Sequence, residues 1–238
     1  MTVHILEALL GLFFPTRAVC LNCGDPSGLE REWLCERCRM RLAPRLHTAC
    51  DDDWPEDGIS QAWFSLYYER PVSRLIRQYK YNCVYRLAPF LIEQMEPVLE
   101  GIAPDDYDCV VPVPLHKKRL RDRGFNQSEI LARHIAERTG IPINTALIRK
   151  RNTRKQAKLS AKHRRRNLEG AFAATASFEG LRVLLVDDVL TTGSTLNNCA
   201  RVLRQAGAAD VQAVTLAGSR HYRRRPFKIY RRKAKKTR

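Results

Sequence analysis

Val183-Leu184-Leu185-Val186-Asp187-Asp188-Val189-Leu190-Thr191-Thr192-Gly193-Ser194-Thr195-Leu196 is the stretch whose reading decides the fold. The four apolar residues Val183 to Val186 make a buried strand, and two carboxylates follow at its C-terminal end, where open α/β sheets bind their ligands. Thr191 to Thr195 are small and hydroxyl-rich around a glycine, and the spacing of Leu196, Cys199, Val202 and Leu203 predicts a helix. Backbone N–H groups at such a helix start hold a phosphate, with the hydroxyls as further donors. Asp187 and Asp188 are then placed to accept hydrogen bonds from vicinal sugar hydroxyls or to help hold a magnesium ion. A nucleotide P-loop is a poor fit, because Ser194 and Thr195 follow Gly193 where that motif needs a lysine. A plain buried strand entering an N-capped helix explains the apolar run but not two adjacent acids followed by five small residues.

Working outward, strands alternate with helices. Residues 61–68 are aromatic and β-prone and read as the first strand of the main body, and Asp108 to Pro114 read as a buried strand stopped by prolines. Helices are expected through Leu75, Ile76 and Tyr79, over 86–99, over 127–139 up to Gly140, and over 195–206. Strands at 181–186 and 211–216 complete the set. This order predicts an α/β fold with a mainly parallel sheet flanked by helices.

Ahead of that body, Cys20-x2-Cys23 and Cys35-x2-Cys38 form two knuckles eleven residues apart. Four thiolates on two tight turns complete a closed tetrahedral shell, so one structural Zn2+ is expected and a catalytic zinc with an open position is not. A redox pair and a metal-free copy are the alternatives. Cys50 stands alone before Asp51-Asp52-Asp53, and Cys83, Cys109 and Cys199 are read as buried packing residues. The chain therefore divides into an amphipathic helix within 1–16, a cysteine module and acidic linker at 17–58, the main domain at 59–218 and a basic tail at 219–238.

Charge is concentrated in two places. The chain has 44% hydrophobic and 28% charged residues and a net charge of +17. Residues 149–166 hold ten Lys/Arg without an acid, and 219–238 hold eleven more. Those 21 cations exceed the net charge, so the rest of the chain is slightly acidic. Clustered basic charge favours a polyanion, and Arg149, Lys150, Arg151, Arg154, Lys155, Arg164, Arg165 and Arg166 are the candidate nucleic-acid contacts. Among the aromatic residues available for stacking on bases, Trp63, Phe64, Tyr67, Tyr68 and Phe125 read more simply as core, and Tyr222 does not. After the strand at 108–114, Lys117, Arg119 and Arg123 lie in a basic loop suited to pyrophosphate. Asn126 is either a helix cap or a ligand contact. No segment resembles a membrane span or an export signal, and a cytoplasmic protein is expected.

The run from Val183 to Leu196 closely resembles the phosphoribosyl-pyrophosphate (PRPP) signature of type I phosphoribosyltransferases. That resemblance implies a type I phosphoribosyltransferase-like domain, with Asp187 and Asp188 facing the ribose hydroxyls and Thr191, Thr192, Gly193, Ser194 and Thr195 around the 5-phosphate. It also implies Mg2+ acting with PRPP.

A second resemblance has wider coverage. Val111-Pro112-Val113-Pro114-Leu115-His116, Arg119-Leu120, Arg123-Gly124-Phe125-Asn126-Gln127, Thr153-x2-Gln156-x2-Leu159, Arg166-Asn167 and Gly170-Ala171-Phe172 are similar to the ComF/GntX family, as is the cysteine ribbon ahead of the domain. The family implies competence or DNA utilisation, with single-stranded DNA and the DNA-uptake machinery as partners. Purine phosphoribosyltransferases carry a general-base aspartate where Thr191 stands, and no segment is evident for a hood over the acceptor base. Two functions stay open: a DNA-handling protein with a phosphoribosyl-binding socket, and a Mg-dependent transferase moving ribose 5-phosphate from PRPP to a nitrogen acceptor. The candidate catalytic residues of the second are Asp187 and Asp188.

Overall fold

The computed structural model describes residues 19–26, 33–50, 54–81, 87–152, 168 and 170–224. The expected helix at 3–13, most of the basic segment 149–166 and the tail beyond 224 lie outside them.

At the N-terminal end, a short helix α1 (Glu36–Arg39) carries the second cysteine knuckle, and β1 (His47–Ala49) follows. The aromatic run becomes β2 (Ala62–Tyr67) and the first amphipathic stretch α2 (Val72–Tyr81), which buries Val72, Leu75, Ile76 and Tyr79. The expected helix over 86–99 is two pieces, α3 (Ala88–Glu93) and α4 (Glu96–Leu99). Pro97 has no N–H to continue the ladder, and its ring crowds the preceding turn, so the helix breaks there.

Next come β3 (Cys109–Pro112), α5 (Lys117–Arg123) and α6 (Gln127–Thr139). A hairpin of β4 (Leu147–Arg149) and β5 (Phe172–Ala174) brackets the basic segment. Then β6 (Arg182–Leu190), α7 (Ser194–Gln205) and β7 (Asp210–Gly218) complete the domain.

Five strands form one sheet in the order β1-β2-β7-β6-β3, and only the β1–β2 pairing is antiparallel. The mainly parallel α/β sheet expected from the sequence is therefore observed. Its first strand is β1, which the sequence reading placed inside the cysteine module, so residues 61–68 supply the second. Side chains alternate along β6. Leu184 and Val186 join a core with α2, α6 and the cysteine knuckles, whereas Val183 and Leu185 join one with α7 and the hairpin.

Strand β6 is longer than its apolar run. Asp187 pairs with Thr215 and Leu190 with Gly218, so the ladder continues past both acids. The acids lie inside the strand, and only Thr191, Thr192 and Gly193 separate it from α7. Gly193 has φ +71°, and a Cβ there would lie 2.8 Å from Trp54 Nε1, so both backbone sign and space favour glycine.

Trp54 comes from a strap absent from the sequence reading. Ile59 N donates to Asn197 Oδ1 at 3.0 Å, Arg201 pairs with Asp57 at 2.6 Å, and Arg204 Nε donates to Gly58 O at 3.0 Å. The end of the acidic linker is thus fastened along α7.

Candidate functional site

Asp187 and Asp188 are buried, at 9% and 4% exposure. Asp187 Oδ1 accepts a hydrogen bond from Ser128 Oγ at 2.8 Å and one from the Asp188 N–H at 2.9 Å. Ser128 sits in the first turn of α6, whose partial positive charge favours a carboxylate. That turn is held by Asn126, which accepts from Ser128 N at 3.2 Å and donates to Val113 O at 3.1 Å. Asn126 is a cap, and it ties α6 to the end of β3.

The carboxylate of Asp188 is paired with Lys80, from the last turn of α2. Burial works against the lysine's charge, but Asp188 and Asp187 together hold its pKa above the ordinary value. Burial, with the charge of Asp188, pushes Asp187 up to about 7. Asp187 Oδ2 and Asp188 Oδ1 accept no hydrogen bond among the described residues. These two oxygens are left for a ligand, and hydroxyls suit them. A magnesium ion between the carboxylates does not fit, because an ammonium already neutralises Asp188 and Asp187 Oδ1 is taken. No resident magnesium is assigned to this pair.

Downstream of the acids, Thr191 and Thr192 are exposed, Gly193 and Ser194 are buried, and Thr192 Oγ1 lies 2.9 Å from Ser194 Oγ. An exposed turn thus enters a twelve-residue helix, beside the acids. This is the arrangement that receives a phosphate.

The basic loop after β3 is instead the helix α5, capped by His116 at one end and by Gly124 in the left-handed region at the other. Lys117 is exposed on it. Arg123 lies 5.4 Å over the Tyr81 ring and donates to Gln127 Oε1. Arg119 lies near enough to Arg149 for its charge, after burial, to lower the Arg149 pKa.

Of the candidate nucleic-acid contacts, Lys150 and Arg151 are exposed, and Arg149 is partly buried 5.1 Å over the Phe172 ring. Arg154, Lys155, Arg164, Arg165 and Arg166 lie outside the described residues. Tyr222, read as a free stacking surface, is 2% exposed and packs against Trp54 at 5.8 Å. Lys80 was missed by the sequence reading, since a lysine ending an amphipathic helix carries no local mark of a site.

The cysteine module is brought together as expected. The sulfur atoms of Cys20, Cys23, Cys35 and Cys38 lie within 4.8 Å of one another, close to the spacing of a tetrahedral S4 shell. Asn22 Nδ2 donates to Cys38 Sγ at 3.2 Å. Burial opposes a thiolate at Cys20, but the backbone N–H groups of Cys23, Cys35 and Asn22 outweigh it and draw the thiol down to about 6. The cluster could hold one zinc ion, which would supply only cross-linking. Cys109 and Cys199 are buried packing residues, and Cys50 is partly buried.

Residues 122–236 match the model of the phosphoribosyl transferase domain. The chain is 38% identical over 220 residues to competence protein ComFC of Bacillus subtilis, with 88% of each chain covered. It is 34% identical over 202 residues to the DNA utilization protein YhgH of Salmonella typhi, with 82% of each covered. The chain belongs to the ComF/YhgH family of competence and DNA-utilisation proteins. Within this ComF/YhgH protein, the domain match includes the acid pair and the turn after it. It begins after Lys80. An adenine phosphoribosyltransferase from Thermoanaerobacter pseudethanolicus superposes with a TM-score of 0.35 at 17% identity, covering 77% of this chain and 98% of that one. So loose a superposition carries no argument about the site. No helix among the described residues is long and apolar enough to cross a membrane.

Proposed function

We propose that this ComF/YhgH protein binds a phosphoribosyl ligand of the PRPP type at Asp187, Asp188 and Thr191 to Thr195, and single-stranded DNA through its basic segments. The observation that carries the reading is the buried acid pair with two unused carboxylate oxygens, set directly before an exposed hydroxyl-rich turn. Asp187 Oδ2 and Asp188 Oδ1 take the vicinal ribose hydroxyls, while the turn and the first N–H groups of α7 take the 5-phosphate. Lys117, Arg119 and Arg123, all on α5, are assigned to the pyrophosphate. One zinc ion on the four cysteines holds the N-terminal module, which offers a docking surface to the DNA-uptake machinery in the cytoplasm.

The exposed Lys150 and Arg151 begin the acid-free run 149–166, and its cations neutralise DNA phosphates. Counterion release then makes the affinity fall linearly with log salt. Fluorescence anisotropy with a labelled oligothymidine tests this. The reading expects binding that weakens steeply from low to physiological salt and is lost when the cations of 149–166 and 219–238 are neutralised. Salt-independent affinity overturns it.

A transferase is the second reading, favoured by the phosphoribosyl transferase domain match. There a nitrogen nucleophile bonds to C1 of PRPP as the C1–O bond breaks and pyrophosphate leaves with the electron pair. Release of pyrophosphate across a panel of bases supports it, and none with any base removes it.

A further inference from the structure

Helix α5 buries none of its seven residues. So short a helix is marginal in water without packing, and it is held at its ends instead, by the His116 cap and by Gly124. Its sequence, Lys117-Lys118-Arg119-Leu120-Arg121-Asp122-Arg123, sets five cations against one acid. At about 100° per residue, Leu120 falls between Arg123 and the pair Lys117 and Arg121, with Lys118 next to Arg121. Arg123 lies over the Tyr81 ring, which brings the end of α2 against this face. Tyr81 is 54% exposed and Leu120 41%, so neither ring nor aliphatic side chain belongs to the core. Lys118 and Arg121 are exposed beside them. On the other flank of Arg123 is Arg119. Burial first, then the charge of Arg119, lowers the Arg149 pKa, so α5 lies beside the start of the acid-free run 149–166.

Cations in this arrangement attract a polyanion, and the exposed ring decides which kind. An aromatic face beside arginines is a platform for an unpaired base, to which a guanidinium adds a cation–π contribution. A duplex keeps its base faces covered, and an acidic peptide has none to offer. We propose that Tyr81 and the outward face of α5 form a single-strand nucleic-acid surface: a base stacks on Tyr81 beside Leu120, Lys118 and Arg121 neutralise the flanking phosphates, and the strand runs on toward Lys150 and Arg151. Tyr81, Lys118, Leu120 and Arg121 take no part in the ribose-phosphate socket.

This inference rests on the single-strand reading and adds to it a place where bases are held as well as phosphates. Fluorescence anisotropy on the full zinc-loaded chain separates the two, with labelled oligothymidine and an abasic strand of the same length as probes. Tyr81→Ala is expected to weaken oligothymidine about fivefold or more, the loss of one stacked base, and to leave the abasic strand unchanged. Tyr81→Phe keeps the platform and is expected to bind both strands as the parent does. Lys118→Gln with Arg121→Gln is expected to weaken both strands and to reduce the slope of log affinity against log salt by about 1.4, two phosphates at about 0.7 each. Tyr81→Ala binding oligothymidine like the parent, or losing both strands equally, overturns the stacking surface, and an unchanged salt slope overturns the phosphate contacts. Displacement of oligothymidine by polyglutamate at equal charge concentration marks a surface for acidic peptides and overturns the proposal. Failure of both strands to bind the unsubstituted protein overturns the single-strand reading beneath it.

Discussion

Replacing Lys80 by methionine is expected to lower stability by roughly 3–5 kcal/mol, the range for breaking a buried ion pair from one side. The side chains of Lys80 and Asp188 are 13% and 5% exposed, so neither charge recovers its hydration when the other is removed. Asp188→Ala has the mirror effect, leaving a buried ammonium. Because each single change strands a charge, the combination Lys80→Met with Asp188→Ala is expected to cost less than the two separately. Urea unfolding of the four proteins measures the difference, with a coupling of roughly 0.5–3 kcal/mol expected. A Lys80→Met variant as stable as the parent would show that α2 is not tied to the acid pair.

Cys35→Ser is expected to have an effect of similar size and wider reach. Zinc content falls from about one per chain, and thermal unfolding moves down by roughly 10 °C or more, equivalent to a few kcal/mol for a chain of this length. The reach follows from packing. Cys20, Leu34, Cys35, Cys38 and Leu42 belong to the same core as Leu75, Ile76 and Tyr79 of α2, and Arg74 Nη1 donates to Asn22 O at 2.7 Å. Losing the ion loosens the helix that presents Lys80. Metal analysis and a melting curve suffice; an unchanged melt with no zinc in the parent protein contradicts the assignment.

Features carried by neighbouring residues were legible before the structure was in view. The apolar run of β6, the small-residue turn and the knuckle spacing each state their geometry within a few positions. For Asn126 a cap was one of two readings, and the structure shows the cap, since capping depends only on the residue two positions on. Three parts of the site were not legible. The partner of Lys80 lies more than a hundred residues away, and a lysine ending an amphipathic helix ordinarily meets water. The cations of 117–123 read as a loop because charge hides the good helix propensity of Lys, Arg and Leu, which only Gly124 terminates. The strap at 54–60 and strand β1 are fixed by α7 and β2, long-range partners that no local pattern announces.

Lys80 also changes the meaning of the acid pair. Two adjacent aspartates in a phosphate-binding fold suggest an open cation site, yet the chain supplies its own cation. The proposed function accordingly uses the acids as acceptors for sugar hydroxyls rather than as cation ligands. The residues alone left the pair serving either purpose, and the resemblance implied the ribose hydroxyls.

Isothermal titration of PRPP into the zinc-loaded full chain and into Asp187→Asn tests this most directly. Asparagine keeps the oxygen that accepts from Ser128 and Asp188 but replaces the free carboxylate oxygen with a donor. Saturable one-to-one binding to the parent, weakened about tenfold or more in Asp187→Asn, is the predicted result. Equal affinity for the two proteins, or no binding to the parent, would contradict a ribose-phosphate socket at Asp187, Asp188 and the turn that follows them.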